Sequence, residues 1–532
     1  MKQSHGKSRK PRVLLTGVFG PFGVDDAYGR KENIMELFHN QVTRGQGAAS
    51  FRFFHRSFGL YFLAANIDAD VTVLDFPSQA RFQRELAQGY DLVGISFIAP
   101  NTLKAQQMAR LCRRHAPDAT LVMGGHGAAV EGIEQLIDCD HVVRGEGIRP
   151  LRKILGQDPD APIEHPSLPS AEAEWIHGIP VPGPPAALLV PGVGCINGCK
   201  FCSTSHFFGK AYTPYIRTGR EMFELACRIS DERGTHEFFV MDENFLKDRD
   251  RAMELLQEME RHGRYFSFDI FSSAEAITAF GVDNLVRLGV NYLWIGVESS
   301  TPTGNYAKNS GVDPRLLIQQ LRDRGVMVLA SGILCEEHHT PDNIGAEIDF
   351  MVGLEADFVQ FMLLTPLPVT ALYKDHKRRG LLREDLPLEE WHGQKHLSYR
   401  HPHFPGDAAQ RWIDEAFRRE CLVNSTSLYR VAETSLRGYR WIAARAQDDP
   451  CMKARLAHME RRARVYGLVL PGVARFAVND TERLRALALD REMRQQFGAP
   501  TLLERARRVG VMALMARWHL RLRLMGDGIQ PR

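Results

Sequence analysis

No stretch of this 532-residue chain reaches the roughly 18 consecutive apolar residues that a membrane-spanning helix needs. Its basic opening, MKQSHGKSRK, is followed by Pro-Arg and one short apolar strand, not by the longer apolar core of a secretion signal. A cytoplasmic protein is expected. An excess of one charge is also missing. The chain has 67 basic and 64 acidic residues, a formal net charge of +3, which makes no global demand for nucleic acid or an acidic partner. Pro, Gly and Ser do not pile up into a disordered tract, and 44% hydrophobic with 25% charged residues is ordinary globular composition. Cysteine is scarce and scattered, nine residues in all, which argues against a disulfide framework in a reducing compartment. Six of them (Cys112, Cys139, Cys227, Cys335, Cys421 and Cys451) stand alone and read as small buried hydrophobes. The other three crowd into eight residues and need a chemical explanation.

At about 100 to 200 residues per domain the length implies about three domains. From about residue 11 to 155, apolar runs (Val13–Leu15, Val71–Leu74, Leu92–Ile95, Leu121–Met123, His141–Val143) alternate with helix-like stretches such as Thr102–His115. That alternation predicts a Rossmann-like parallel sheet covered on both faces. Its strands end in small or turn-forming residues, Gly17, Ser96, Gly124-Gly125 and Gly145, at the edge where open sheets bind ligands. The connection after the first strand, Pro21 to Ile67, is unusually long and holds His39, Arg44, Phe51, Phe53, Phe54, His55 and Arg56. Residues 156–185 form a Pro-rich linker. In 186–370 six further strands (Leu188–Val190, Phe238–Met241, Phe266–Phe271, Leu293–Val297, Val328–Leu334, Val359–Leu364) alternate with amphipathic stretches, a pattern that predicts a partial (βα)6 barrel. Residues 371–532 read as helical. The expected architecture is thus α/β, with boundaries 1–155, 156–185, 186–370 and 371–532.

The three crowded cysteines form Cys195-Ile196-Asn197-Gly198-Cys199-Lys200-Phe201-Cys202, a C-x-x-x-C-x-x-C directly after the first strand of the second domain. A structural zinc site normally needs four closed ligands, and no fourth cysteine lies nearby, although His206 can in principle supply the fourth. A four-iron cluster held by three thiolates keeps one iron open for chemistry. From the spacing alone both remain open.

The aromatic residue at Phe201, and the position after strand one of a six-unit barrel, resemble the radical S-adenosylmethionine (SAM) superfamily. Met241-Asp242-Glu243-Asn244-Phe245, Ile295-Gly296-Val297-Glu298-Ser299 and Leu364-Thr365-Pro366-Leu367-Pro368, at successive strand ends, are similar to segments of its cobalamin-binding branch. The resemblance implies a 4Fe-4S cluster on Cys195, Cys199 and Cys202, whose open iron chelates SAM and cleaves it with one electron from a donor such as flavodoxin or ferredoxin. It further implies that Asp242 or Glu243 meets the methionine ammonium and Glu298 or Ser299 the ribose hydroxyls. Where related families tend to carry glycine after strand five, this chain has Cys335. It is expected at the rim of the site, either as a packed small residue or as a hydrogen donor or methyl carrier.

The N-terminal sheet resembles the cobalamin-binding domains that precede such barrels, through Ile95-Ser96-Phe97-Ile98, Met123-Gly124-Gly125-His126-Gly127 and Val143-Arg144-Gly145-Glu146-Gly147. Ser96 is expected to bond the nucleotide tail, and Gly124 and Gly125 to let the backbone approach the ligand. No G-x-G-x-x-G follows a strand, and the D-x-H-x-x-G that supplies a histidine to cobalt is missing after strand one. The resulting expectation is a cobalamin-dependent radical SAM methyltransferase acting on an unactivated carbon of a small-molecule or lipid-like substrate. Its rivals are a radical cyclase or rearrangement enzyme of the same family, and a metal- or cobalamin-binding regulator. No nucleic acid is expected. For the arginine-rich tail, Arg505 to Met525, two arrangements are open: a helix packed on the barrel with its arginines paired, or a peripheral helix on an anionic membrane.

Overall fold

The computed structural model describes residues 9–19, 41–51, 56–170, 175–176, 179–180, 186–301, 307–309 and 311–525. His39, Phe53, Phe54 and His55 of the long connection, and residues 171–174, 177–178 and 181–185 of the Pro-rich linker, lie outside the described residues.

The first sheet has five parallel strands in the spatial order Asp70–Leu74, Arg12–Gly17, Leu92–Ser96, Thr120–Gly124, His141–Val142. Side chains alternate across a strand, so each strand feeds two cores. Leu14, Val93, Ile95, Leu121 and Met123 pack in one hydrophobic cluster, and Val13, Leu15, Leu92 and Val122 in another. Helix Thr102–His115 covers the first of these with Ala105, Met108, Ala109 and Cys112, the i, i+3, i+4, i+7 spacing of one helical face. Its last turn carries Arg113, Arg114 and His115, positive charge at the negative end of the helix dipole.

The second sheet has six parallel strands in chain order, Ala187–Leu189, Glu237–Val240, Ser267–Phe271, Val290–Glu298, Met327–Leu334 and Phe358–Leu363. Among the described residues its first and last strands do not pair, so the barrel is an open arc. Helix Gly219–Arg233 after the first strand starts with a capping box between Thr218 and Glu221. Helix Ala371–Arg378 follows the sixth strand and reaches back to the loop after the first, where the Leu372 amide donates to the Lys200 carbonyl at 3.0 Å.

After Leu363 the described residues form no further strand. Helices Ser427–Ala443 and Pro450–Gly467 close the end of the barrel where the strands begin. Arg455, buried, donates to the carbonyls of Phe266 (2.6 Å), Arg287 (2.9 Å) and Leu288 (2.9 Å), which precede the third and fourth strands. The long connection after the first strand of the chain joins this end too. Val42 is buried with Met327, Leu329, Phe358 and Val431, Phe51 stacks edge-on against Phe358 at 5.3 Å, and Gln46 bonds Ser427. No helix among the described residues is long and apolar enough to cross a membrane.

Candidate active site

The loop from Cys195 to Cys202 is shaped by small residues and hydroxyls. Gly194 has φ +94°, and a side chain there would strike the Ala211 carbonyl and the Phe208 Cβ. Ser205 Oγ donates to the Cys195 carbonyl at 2.7 Å and accepts from the Gly198 amide at 3.0 Å, which folds the loop back on the short helix Ser203–Phe207. All three thiols are partly buried. Burial pushes each one up, Cys202 to about 11, and neighbouring charges act as well: Cys199 on Cys195, and both Cys199 and Cys195 on Cys202. The three thiols therefore face a common region, where their thiolate forms need a cation. Their sulfurs, with or without His206, do not form a group within 4.8 Å of one another. Thiolates on one zinc ion at 2.3 Å would stand roughly 3.8 Å apart. As placed, these donors stand too far apart for a single zinc ion.

The carboxylates beside this region differ in what holds them. Asp242 is buried and committed. Its Oδ2 accepts from Arg251 Nη2 at 2.8 Å and from the Tyr212 hydroxyl at 2.7 Å, and its Oδ1 from the Asn244 amide at 3.1 Å. Glu243, next in sequence, is exposed and has no hydrogen-bond partner among the described residues. Protein surrounds its open recess and pushes its carboxyl up to about 7, helped by the Asp242 charge, and Glu243 in turn acts on Cys195 and Cys202. Glu298 is likewise committed: its Oε1 meets Lys308 Nζ at 2.5 Å in a largely buried pair, and its backbone sits at φ +69°. Ser299, half-buried, accepts from the Thr301 amide at 3.2 Å and keeps its hydroxyl proton available.

Lys308, Tyr212 and Arg251 were not legible in the sequence. Lys308 lies ten residues beyond Glu298 in a loop without periodicity, yet its ammonium acts on Cys199 and Cys195. Cys335 calls for a correction. It was expected at the rim, but the structure buries it completely in the barrel's hydrophobic cluster, and burial raises its thiol. Its φ of +56° is the left-handed conformation that glycine adopts most easily, which accounts for glycine in related turns. The Tyr399 hydroxyl donates to its carbonyl and ties down that turn.

At the ligand edge of the first sheet, Gly124 and Gly125 have different reasons to be glycine. A Cβ on Gly124 would meet nothing within 4 Å, so this position opens onto free space. A Cβ on Gly125, at φ +79°, would meet the Phe97 carbonyl and Ser96 Oγ at 2.7 Å each. Gly125 is thus required by the protein's own packing, and only Gly124 keeps the character expected of a ligand approach. Ser96 is half-buried at the end of its strand. His126 follows, with its ring 4.5 Å from that of Phe207 on the helix after the cysteines. Burial lowers it to about 4, so it is neutral, and its Nδ1 has no hydrogen-bond partner among the described residues. Glu131 accepts from Tyr373 (3.3 Å) and Lys377 (2.5 Å), and Tyr215 donates to Glu146 at 3.4 Å. The ligand edge of the first sheet therefore faces the cysteine loop directly.

Two family models match these two regions: the B12 binding domain over residues 47–155 and the Radical SAM superfamily over residues 189–374. The chain belongs to the B12-binding radical SAM family. As a member it uses a 4Fe-4S cluster, SAM and cobalamin as cofactors, and it is a cobalamin-dependent radical SAM methyltransferase. Similar curated proteins include an uncharacterized methyltransferase of Pyrococcus horikoshii, 24% identical over 356 residues, covering 59% of this chain and 77% of that one. Another is the bacteriochlorophyllide d C-8(2)-methyltransferase of Chlorobaculum tepidum, 21% identical over 334 residues, covering 57% and 71%. Among solved structures, the radical SAM methyltransferase TsrM of Kitasatospora setae, with cobalamin and a 4Fe-4S cluster bound, shares the fold: TM-score 0.52, 17% identity, 84% of this chain and all of that one. Methyl transfer therefore replaces the cyclase and regulator alternatives for this enzyme.

Proposed function

We propose that Cys195, Cys199 and Cys202 hold the 4Fe-4S cluster, that Glu243 accepts the methionine ammonium of SAM, and that Ser299 bonds its ribose. The observation that carries this is the pairing of three converging thiols with one exposed, unpartnered carboxylate that acts on two of them. A carboxylate in a recess that disfavours its own charge gains most from an incoming cation. Asp242, held by Arg251 and Tyr212, supports the recess from below, and Lys308 holds Glu298 in place. In this arrangement the cofactors supply one-electron cleavage of SAM and a carrier for the methyl group. Ser96 and Gly124 receive cobalamin on the facing edge, and His126 with Phe207 excludes water from the seam between them. We place the domain boundaries at residues 155, 185 and 370, where the cobalamin module, the linker and the barrel end in sequence.

The substrate we propose is a small or lipid-like molecule methylated on an unactivated carbon. Support comes from relatives named for methylation at numbered carbons of bacteriochlorophyllide d and from a TsrM structure with tryptophan bound. A one-electron donor such as flavodoxin or ferredoxin, and a peripheral membrane contact, complete the partners. Turnover with an accepted substrate should add one methylene to its mass and release 5′-deoxyadenosine. Product of unchanged mass would overturn the methyl-transfer assignment of this site.

Cobalamin should bind base-off without a histidine from a D-x-H-x-x-G motif, since none follows the first strand. Paramagnetic resonance of the cob(II)alamin form tests this, and nitrogen hyperfine splitting from a protein histidine would refute it. The two glycines separate folding from binding. Gly124→Val should leave the fold intact and weaken cobalamin binding by about tenfold or more, because its side chain enters open space that we assign to the ligand. Gly125→Val should lower thermal stability whether or not cobalamin is present, since both its φ and its neighbours exclude a side chain. Equal cobalamin affinity of Gly124→Val and wild type, by equilibrium dialysis, would remove Gly124 from the site.

A further inference from the structure

Among the described residues, the apolar side chains that the C-terminal helix Leu502–Met525 buries lie on one of its faces. Val511 and Met515 are buried among Val473, Leu489 and Met493 of the preceding helices, with the Ala48-Ala49 turn in the same cluster. His519 lies against Phe476 at 5.2 Å. The opposite face carries Leu502 (83% exposed), Val509 (70%), Leu520 (58%) and Leu524 (75%), interleaved with exposed Ala506, Ala513 and Ala516. At 3.6 residues per turn these seven fall within an arc of roughly 80° along a helix about 36 Å long. Exposed Arg505 and Arg523 flank one side of that stripe, and Arg517 and Arg521 the other.

No acidic residue stands between Glu504 and Asp527. Glu504 is turned toward Thr501 and Arg464, and Asp490 meets Arg508 on the packed side, so neither neutralises the outer face. A stripe of leucine and valine edged by arginines that pair with no acidic residue among the described ones is uncommon on a soluble surface, where large apolar side chains stand singly. A second copy of the chain would bring arginine against arginine. A surface rich in phosphate with an apolar layer beneath satisfies both parts of the face at once. The packed face being apolar as well explains why sequence periodicity did not expose the stripe: two apolar faces cancel in any measure of one-sidedness.

We propose that this outward face is a docking surface for an anionic phospholipid membrane. The helix lies flat, its arginines at the lipid phosphates and Leu502, Val509, Leu520 and Leu524 in the interface. The proposal rests on the methyltransferase reading only in its purpose, to bring the site to a lipid-like substrate. The test is co-sedimentation of the full-length holoenzyme with vesicles of phosphatidylglycerol and phosphatidylcholine in equal parts, and with phosphatidylcholine alone, at low salt. Binding to the mixed vesicles and not to the neutral ones is expected. Arg517→Glu with Arg521→Glu should weaken partition on the order of tenfold or more, and Leu520→Glu with Leu524→Glu should abolish it. No binding to mixed vesicles, or unchanged binding by both double variants, overturns the proposal. So does concentration-dependent dimerisation that the leucine variants abolish, or capture of duplex DNA in preference to the vesicles. Uncoupled SAM cleavage to 5′-deoxyadenosine is measured on the same preparations. Lost docking with intact cleavage condemns only the membrane surface, whereas lost cleavage with intact docking condemns only the assigned site.

Discussion

Cys199→Ala should purify folded, bind cobalamin as the wild type does, and form no measurable 5′-deoxyadenosine from SAM after anaerobic reconstitution with iron and sulfide. Cys199 lies between the other two cysteines, and its thiol is partly buried beside Lys308 and Glu298. Two remaining thiolates cannot hold a cluster with one defined open iron. The loss should exceed the roughly 10- to 100-fold that follows removal of an outer partner of a metal ligand. The fold is expected to survive because the loop is held by Ser205 and by the Leu372–Lys200 bond, neither of which uses the thiol. Cobalamin belongs to the facing edge, more than 70 residues earlier in the chain. Iron content near the wild-type value with substantial 5′-deoxyadenosine would remove Cys199 from the cluster.

Glu243→Gln and Asp242→Asn should fail in different ways although the residues are adjacent. Glu243→Gln loses a charge-assisted contact with the SAM ammonium, worth about 2 kcal/mol, or roughly 30-fold in Kd, with little effect on stability because the side chain has no partner to abandon. Its pH dependence has a definite sign. The protein surrounding its open recess and the Asp242 charge raise the Glu243 carboxyl to about 7, so it is largely neutral below that pH and anionic above it. SAM should therefore bind more tightly as pH rises through about 7 in the wild type, and Glu243→Gln should flatten that rise. Asp242→Asn instead strands the buried guanidinium of Arg251 and should cost about 3–5 kcal/mol of stability, read as a lower denaturant midpoint. If Glu243→Gln binds SAM with the wild-type affinity across this pH range, the ammonium is held elsewhere.

Much of the fold was legible because it rests on local patterns. Helix Thr102–His115 has the bounds expected from its periodicity, and the eleven apolar runs became strands within a few residues of their expected limits, since parallel strands buried on both faces are continuous apolar segments. Other features had no local signal. The long connection after strand one carries no regular apolar period in sequence, and its part from Gln41 to Phe51 wedges between the barrel and helix Ser427–Ala443. The tail helix packs on its neighbouring helices with arginines left outward, an arrangement intermediate between the two open alternatives.

By itself the sequence determined the chemistry available: three cysteines at C-x-x-x-C-x-x-C spacing, carboxylates and small residues at strand ends, and two successive parallel sheets to carry them. Those are properties of spacing and residue type, which survive without knowledge of the partners. The tertiary structure decided which of the candidates are free to act. Asp242 and Glu243 are equivalent in sequence, as are Gly124 and Gly125, but Arg251 and Tyr212 claim Asp242 while Phe97 and Ser96 crowd Gly125. Cys335 is withdrawn into the core, and Lys308 is brought from a distant loop to the cysteines. Whether a polar group is spent on its own protein or kept for a ligand depends on contacts between residues far apart in the chain, and burial and charge neutralisation, which set its energy, exist only once those residues meet.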